Sequence, residues 1–263
     1  MKIATIVYHK NVLSIYDKKW IEKCYNSILD QTLKRFTIYE LNYGDDDLKL
    51  YREYPNNKEY HFYKVKFDNH ADAMNFLLDE CIKDGYDVVF NNNMDDFSDV
   101  NRFETQLKKI KKGYDIVASN FIHIDKDDLP IRKTDFSKMD IEEQFKKGNN
   151  IIVHPSVCYS KRFLEKNRYI SSEIPEEDFK LWKRTISEYR YLICPQYLIN
   201  YRIHENQVSA KKDDKEHNIE TTNSNISIQY RPHINTNLEN CVKCGEQKNK
   251  IKFNFCQKCN SLY

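Results

Sequence analysis

The sequence lacks a long apolar run and carries almost no net charge. No stretch approaches the roughly 18–20 apolar residues that a membrane-spanning helix requires. The apolar run at residues 3–8 is too short for a signal peptide. We therefore expect a cytoplasmic protein without a membrane span. Since 42 Lys and Arg stand against 40 Asp and Glu, the net charge of +2 gives no electrostatic basis for binding nucleic acid.

A length of 263 residues suffices for one large domain, or for a medium domain with a small module. In the first half, strand patterns alternate with amphipathic helix patterns, which predicts a mostly parallel sheet flanked by helices. The second half is less regular, with a helix near 179–186. The predicted strands are 3–8, 36–41, 61–65, 88–90, 114–118, 151–153 and 191–193.

The eight cysteines fall into two groups. Cys24, Cys81, Cys158 and Cys194 stand singly in apolar contexts, and we interpret them as small buried hydrophobic residues. The remaining four are clustered with the spacing of metal ligands, and four thiolates form a tetrahedral zinc site. Two disulfides are the weaker alternative in a chain expected to be intracellular. The cluster reads Cys241-x2-Cys244, eleven residues, then Cys256-x2-Cys259.

The composition changes after about residue 209. Residues 210–238 are polar and lack apolar periodicity, which indicates a linker between a domain at 1–209 and a module at 239–263. That module is too short for an apolar core of its own, so structural Zn²⁺ would have to drive its folding as a zinc ribbon. Because a site closed by four thiolates is structural, we expect the ribbon to dock a protein partner.

Two adjacent carboxylates, Asp95 and Asp96, follow the predicted strand at 88–90. Carboxylates at a strand end can hold a divalent cation against a phosphate-bearing ligand. The carboxyl edge of an α/β sheet is also where ligands normally bind. An acidic turn with an Asp helix cap explains the same residues, and this segment alone favours that interpretation.

The residues that follow Asp96 favour a functional site over an acidic turn. Asp96 is followed six positions later by Arg102 and then by Glu104-x-Gln106. This segment resembles family 2 glycosyltransferases of the GT-A fold, in which a strand ends in Asp-x-Asp-Asp before the same Arg and Glu-x-Gln. Asn93 stands at the first Asp of that motif. The resemblance covers about residues 3–209 and includes the segments 25–32, 69–75, 154–156, 176–184 and 201–209.

The resemblance implies a GT-A (Rossmann-like) fold and a nucleotide-sugar donor. It assigns Asp178 as the general base, with Glu177 assisting, although acidic residues in a first helical turn are also stabilised by the helix dipole. It implies Mn²⁺ or Mg²⁺ held by Asp95, Asp96 and His204. The donor-binding residues that the resemblance implies are Tyr8, Asn42, Tyr43, Asn75, Arg102 and Arg202. Asn42 would form a hydrogen bond with uracil, and Tyr43 would stack on it. A structural role remains the alternative for Asn75 and Arg102.

Three hypotheses follow. The first is a metal-dependent inverting glycosyltransferase that moves a sugar, with UDP as the expected nucleotide, to a hydroxyl of a glycan, protein or lipid. The alternative is a catalytically inactive glycosyltransferase-like binding module with a zinc-ribbon interaction domain, which Asn93, Asn42 and Tyr43 favour. The third is a nucleic-acid-associated factor, and the near-neutral charge opposes it.

Overall fold

The computed structural model describes residues 1–50 and 59–207, together with three two-residue strands near the C-terminus. A nine-stranded sheet forms its centre, in the order β3-β2-β1-β4-β8-β6-β9-β5, with β7 paired to β6. The strands are β1 (Ile3–His9), β2 (Thr37–Asn42), β3 (Tyr60–Lys64), β4 (Val88–Asn92), β5 (Phe97–Ser98), β6 (Ile116–Ile124), β7 (Pro130–Thr134), β8 (Cys158–Ser160) and β9 (Tyr191–Arg202).

Helices cover the sheet, and several of them begin at a side chain that caps the first turn. The Asp17 side chain accepts a hydrogen bond from the N–H of Lys19, and Asn69 accepts one from the N–H of Asp72. Within the described part of the chain, no helix is both long and apolar enough to cross a membrane. The helices are α1 (Lys18–Leu29), α2 (His70–Lys83), α3 (Arg102–Ile110), α4 (Ile141–Lys146), α5 (Lys161–Leu164) and α6 (Glu177–Thr185), with 3₁₀ turns at Val12–Ser14, His154–Ser156 and Ser171–Glu173.

The sheet is mixed, which corrects the prediction of a mostly parallel one. Strands β1 to β4 pair in parallel, as do β6 and β9. Strand β8 lies between β4 and β6 and runs antiparallel to both. Hydrophobic periodicity indicates where strands lie but not their direction, and β8 has only three residues, too few to show a period.

The strands predicted in the first half are confirmed, and the one at 114–118 continues to Ile124 as β6. The strand predicted at 151–153 is wrong, since these residues are irregular and lead into the turn His154–Ser156. Ile151 and Ile152 are nevertheless buried in the hydrophobic core. Their apolar character reflects packing in the core and not pairing in the sheet. The sequence did not indicate β5, β7, β8, α4 or α5.

The hydrophobic core lies on both faces of the sheet. One cluster joins Met74 and Leu77 of α2 to Trp182 of α6, and the other joins Ile28 of α1 to Phe103 of α3. The prediction for the four single cysteines is confirmed: Cys24, Cys81, Cys158 and Cys194 are all buried as free thiols.

The C-terminal segment contributes a small antiparallel sheet of β10 (Ile251–Lys252), β11 (Phe255–Cys256) and β12 (Ser261–Leu262). The predicted linker at 210–238 lies outside the described residues, and so do Cys241, Cys244 and Cys259. Cys256 is described only as a backbone position in β11. The zinc ribbon therefore stays a prediction.

Candidate active site

A cleft of about 780 Å³ opens at the carboxyl ends of β1 and β4. These strands are parallel neighbours, with Val7 opposite Asn92, so the residues that follow each strand meet at one edge of the sheet. Helix α6 starts beside the same cleft. Five of the predicted site residues line it: Tyr8, Tyr43, Asp95, Glu177 and Asp178.

Asp95 is the acidic residue of the 95–96 pair that reaches the cleft. Its Oδ2 lies 3.0 Å from Nε2 of His204, which is almost fully buried behind it. The imidazole of His204 packs 5.4 Å from the Tyr16 ring and 5.1 Å from the Trp20 ring. These contacts fix the position of the Asp95 carboxylate.

Asp96 lies beneath the cleft. It is buried, and its Oδ1 accepts a hydrogen bond of 2.8 Å from the backbone N–H of Arg202. Burial, assisted by the charge of Asp95, raises the pKa of Asp96 well above its usual range. Among the described residues, no group of three or more His, Cys, Asp or Glu side chains is placed to hold a metal ion. The predicted set of Asp95, Asp96 and His204 therefore does not form one cluster here.

The two predicted donor-binding arginines are buried and face away from the cleft. Arg202 donates from Nε to the Asp95 carbonyl (2.9 Å), and its guanidinium stacks 4.6 Å from the Trp20 ring. Arg102 donates to the carbonyl of Asn91 (2.8 Å) and to Oδ1 of Asn92 (3.1 Å). Arg102 holds the end of β4 and Arg202 holds the loop that follows it, and neither is among the residues that line the cleft.

Asn42 and Asn75 are also engaged within the fold. The buried amide of Asn42 donates to the carbonyl of Leu48 (2.9 Å) and accepts from the N–H of Gly44 (3.0 Å). Asn75 bonds both backbone groups of Tyr169, at 2.9 and 3.0 Å. Asn42 and Asn75 were both predicted to bind the nucleotide-sugar donor, and neither lines the cleft.

Tyr43 does reach the cleft, and burial raises its pKa to about 12. The loop that carries it passes close to the segment after β1. A Cβ atom on Gly44 would lie 2.5 Å from Oδ1 of Asn11, so this close approach requires glycine.

The first turn of α6 contributes the carboxylates of Glu177 and Asp178 to the lining of the cleft. Asp178 accepts a 3.3 Å hydrogen bond from Nδ2 of Asn150. Oε1 of Glu177 lies 2.7 Å from Nε2 of His70. Burial pushes the pKa of Glu177 upward, but the hydrogen bond and charge of His70 outweigh that effect and hold it below its ordinary value. Glu177 is therefore ionised at neutral pH.

Several cleft residues were not identified as site residues from the sequence. Nε2 of His154 lies 2.9 Å from the Tyr169 hydroxyl, and burial lowers the pKa of His154 to about 4, so its ring is neutral. No spacing rule joins positions 70, 154 and 177, which meet only in the folded chain. The missed residues that line the cleft include His70, Phe121, Phe136, Asn150, His154 and Tyr201.

Solved structures of other proteins share the fold of this chain. The structure of Staphylococcus aureus TarS (residues 1–349) matches with a TM-score of 0.60 and 14% identity, over 78% of this chain and 62% of that chain. The TarS complex with UDP-GlcNAc matches with a TM-score of 0.61 and 14% identity, over 80% and 61% of the two chains. This chain thus spans less than two thirds of the length of those structures, and the likeness shows the fold.

Sequence relatives define the family. The O-antigen biosynthesis glycosyltransferase WbnJ of Escherichia coli is 25% identical over 199 residues, which cover 72% of this chain and 76% of WbnJ. The family described as glycosyl transferase family 2 matches residues 5–168, from β1 through α5. Since that match covers well over half of the sequence, the chain belongs to glycosyl transferase family 2 and is a glycosyltransferase by its family.

Proposed function

We propose that the chain is an inverting glycosyltransferase that moves a sugar from a nucleotide-diphosphate sugar to an acceptor hydroxyl, with UDP as the expected nucleotide. One observation carries this proposal: Tyr43, Asp95 and Asp178 line a single cleft at the carboxyl edge of the sheet. An O-antigen biosynthesis glycosyltransferase among the relatives and a similar structure bound to UDP-GlcNAc support it.

A divalent cation fits the cleft through Asp95. Mg²⁺ usually binds one or two carboxylates together with substrate phosphates and water, and Asp95 supplies such a carboxylate. The imidazole of His204, 3.0 Å from Asp95, would orient that carboxylate toward the ion and is the remaining candidate ligand. When bound, the ion would neutralise the charge that develops on the leaving diphosphate. Asp96 and Arg202 would hold the Asp95 loop in place.

Asp178 is the proposed general base. Its carboxylate takes the proton of the acceptor hydroxyl while the acceptor oxygen forms a bond to the anomeric carbon and the bond to the diphosphate oxygen breaks. A displacement of this kind inverts the anomeric configuration. General-base catalysis of this type contributes about 10²–10⁴-fold to the rate. The Asn150 amide, at 3.3 Å, orients the Asp178 carboxylate.

Donor turnover tests the proposal. Full-length protein with Mn²⁺ is incubated with a panel of UDP-, GDP- and dTDP-sugars, and the release of free nucleotide is measured. Release should be lost in Asp178→Asn and Asp95→Asn, and it should persist in Asp47→Asn, an exposed carboxylate outside the cleft. A wild-type protein that releases no nucleotide from any donor contradicts the proposal.

A second candidate is a donor-binding module without turnover. It is favoured by Asn93, whose amide oxygen accepts a 3.3 Å hydrogen bond from the Tyr8 hydroxyl at the position where the family motif has a carboxylate. It predicts that calorimetry detects donor binding, that no nucleotide is released, and that Asp178→Asn binds the donor as well as the wild type does.

We also propose that residues 239–263 form a zinc ribbon in which Cys241, Cys244, Cys256 and Cys259 hold one structural Zn²⁺ and which docks a protein partner. The spacing of the four cysteines is the main support. The short antiparallel strands β10, β11 and β12 lie in the same segment and accord with it.

A further inference from the structure

The cleft has an aromatic wall, formed by Phe121, Phe136 and Tyr201. These three residues have no role in the proton transfer and cation binding proposed for the reaction. The buried Phe121 ring is central: its centroid lies 6.0 Å from that of Phe136 and 5.7 Å from that of Tyr201. Phe136 and Tyr201 are half-buried, and both line the same cleft as Asp178. Aromatic surface thus remains accessible within the cleft that holds the proposed base.

A distortion of the sheet holds the aromatic wall in position. The pairing of β6 with β9 shifts on both sides of Asn120, and such bulges redirect the side chains that follow them. The fully buried Asn120 amide donates to the Pro195 carbonyl (3.0 Å), and its oxygen accepts the backbone N–H of Phe136 (2.9 Å). One buried side chain therefore fixes both the bulge before Phe121 and the position of Phe136.

The aromatic wall has no charge of its own. His123 packs 4.9 Å from Phe121 and 5.7 Å from Tyr201, and burial together with the charge of Arg132 lowers its pKa to about 4. It is therefore neutral at physiological pH. Polar groups are found elsewhere in the cleft, where the Asn150 amide meets the Asp178 carboxylate.

We propose that the aromatic wall binds a carbohydrate, so that the acceptor hydroxyl belongs to a sugar. A pyranose has an apolar C–H face that stacks on aromatic rings, and hydroxyls at its rim that bond amides and carboxylates. The cleft offers both kinds of group, as in sites where an apolar lining carries a few placed polar groups. An alkyl chain would leave the clustered polar groups of the cleft without a partner. This inference rests on the proposed glycosyl transfer and names its acceptor class.

Two measurements on the full-length protein test the inference. Saturation-transfer NMR with methyl glycosides and disaccharides of glucose, galactose, GlcNAc and GalNAc measures binding without turnover. Nucleotide release from the donor, with and without each glycoside, measures transfer. We expect at least one glycoside to bind and to accelerate release. We expect Phe136→Leu, which keeps the apolar volume but removes the ring, to raise the KM for that glycoside about tenfold. The loss of glycoside binding in this variant should be larger than any change in its donor hydrolysis in water.

The control is Phe67→Leu, a half-buried ring packed on Phe76 outside the cleft, which should leave all values unchanged. A serine-containing peptide and a long-chain alcohol are assayed in parallel as the other acceptor classes. The inference is overturned if no glycoside binds while donor hydrolysis proceeds, or if only the peptide or the alcohol accelerates release. Glycoside binding without any donor hydrolysis would instead contradict the proposed enzymatic function. An equal loss of donor hydrolysis and of glycoside binding in Phe136→Leu would also overturn the assignment of the wall to the acceptor.

Discussion

Nε2 of His70 lies 2.7 Å from Oε1 of Glu177 and joins the first residue of α2 to the first residue of α6. The two residues are 107 positions apart in the chain, and both line the cleft. Glu177 directly precedes Asp178. His70 therefore acts as a positioning residue that fixes the first turn of α6, and with it the proposed base.

Replacement of His70 by Leu should remove the hydrogen bond and charge that hold the pKa of Glu177 down. Burial, which pushes the pKa of Glu177 upward, would then be opposed less, and that pKa should rise. We expect kcat/KM to fall about tenfold and the acid limb of the pH–rate profile to move to higher pH. His70→Gln, which can still donate to Glu177, should recover part of the rate. An unchanged pH profile in His70→Leu would show that the pair has no effect on the chemistry.

The stability of the protein should decrease as the pH falls from about 6.5 toward 4, partly because of His154. Its folded pKa of about 4 lies below the unfolded value of about 6.5, so the unfolded chain binds the proton first. At pH 5 this single group should cost about 2 kcal/mol of unfolding free energy relative to pH 7. Urea unfolding at both pH values measures the difference. His154→Gln should reduce it, and an unchanged difference would contradict the assignment.

Arg102 should stabilise the fold and not bind the donor. Its replacement by Met would leave buried acceptors at Asn91, Asn92 and Gln106 without a donor, at a cost of about 3 kcal/mol or more. Arg35→Met, on an exposed side chain, should change stability by less than about 0.5 kcal/mol. Urea unfolding of both variants gives the comparison. A stable Arg102→Met protein with weakened donor affinity would restore the donor-binding interpretation.

His204 should govern the metal requirement of the proposed reaction. Removal of its imidazole in His204→Ala takes away both a candidate ligand and the contact that orients Asp95. The Mn²⁺ concentration for half-maximal nucleotide release should rise roughly 10–100-fold. Saturating Mn²⁺ should recover much of the rate, whereas Asp95→Asn should not recover. Equal Mn²⁺ dependence in wild type and His204→Ala would exclude a role for His204 at the metal.

If the proposed zinc ribbon forms, the full-length protein should carry one tightly bound Zn²⁺ per chain. Cys244→Ser removes one of the four thiolates and should therefore lower the zinc content. Cys24→Ser, on a buried thiol of the large domain, is the matched control. Elemental analysis by mass spectrometry gives the ratio. Identical zinc contents in the two variants would refute the four-cysteine site.

Several of the strands that were predicted from apolar runs end at the cleft. Strands β1 and β4 were predicted within a few residues, and the parallel edge that they form brings Tyr8 and Asp95 together. The family resemblance then indicated Glu177 and Asp178, which lie at the start of α6 as that motif requires.

The remainder of the site depends on contacts that have no local signature. The family resemblance implied that Arg102 and Arg202 bind the donor, yet both side chains are buried and bond backbone carbonyl groups. Asn42 lies at the expected strand end, but its amide closes its own loop. The aromatic wall was missed because Phe121 and Phe136 are brought together by a bulge, which interrupts the alternation from which strands are recognised.

Strand β8, three residues long and antiparallel to both β4 and β6, separates two parallel parts of the sheet. On one side, β1, β2 and β4 carry Tyr8, Tyr43 and Asp95. On the other, β6 and β9 form a second parallel ladder that carries Phe121 and Tyr201, and Phe136 follows β7. The two ladders stay connected through Arg202 of β9, which bonds the Asp96 carboxylate and the Asp95 carbonyl. A graft of the β6-to-α4 segment between relatives, made to change the proposed acceptor choice, must therefore keep Asp125 and Asp128, because both contact Arg202.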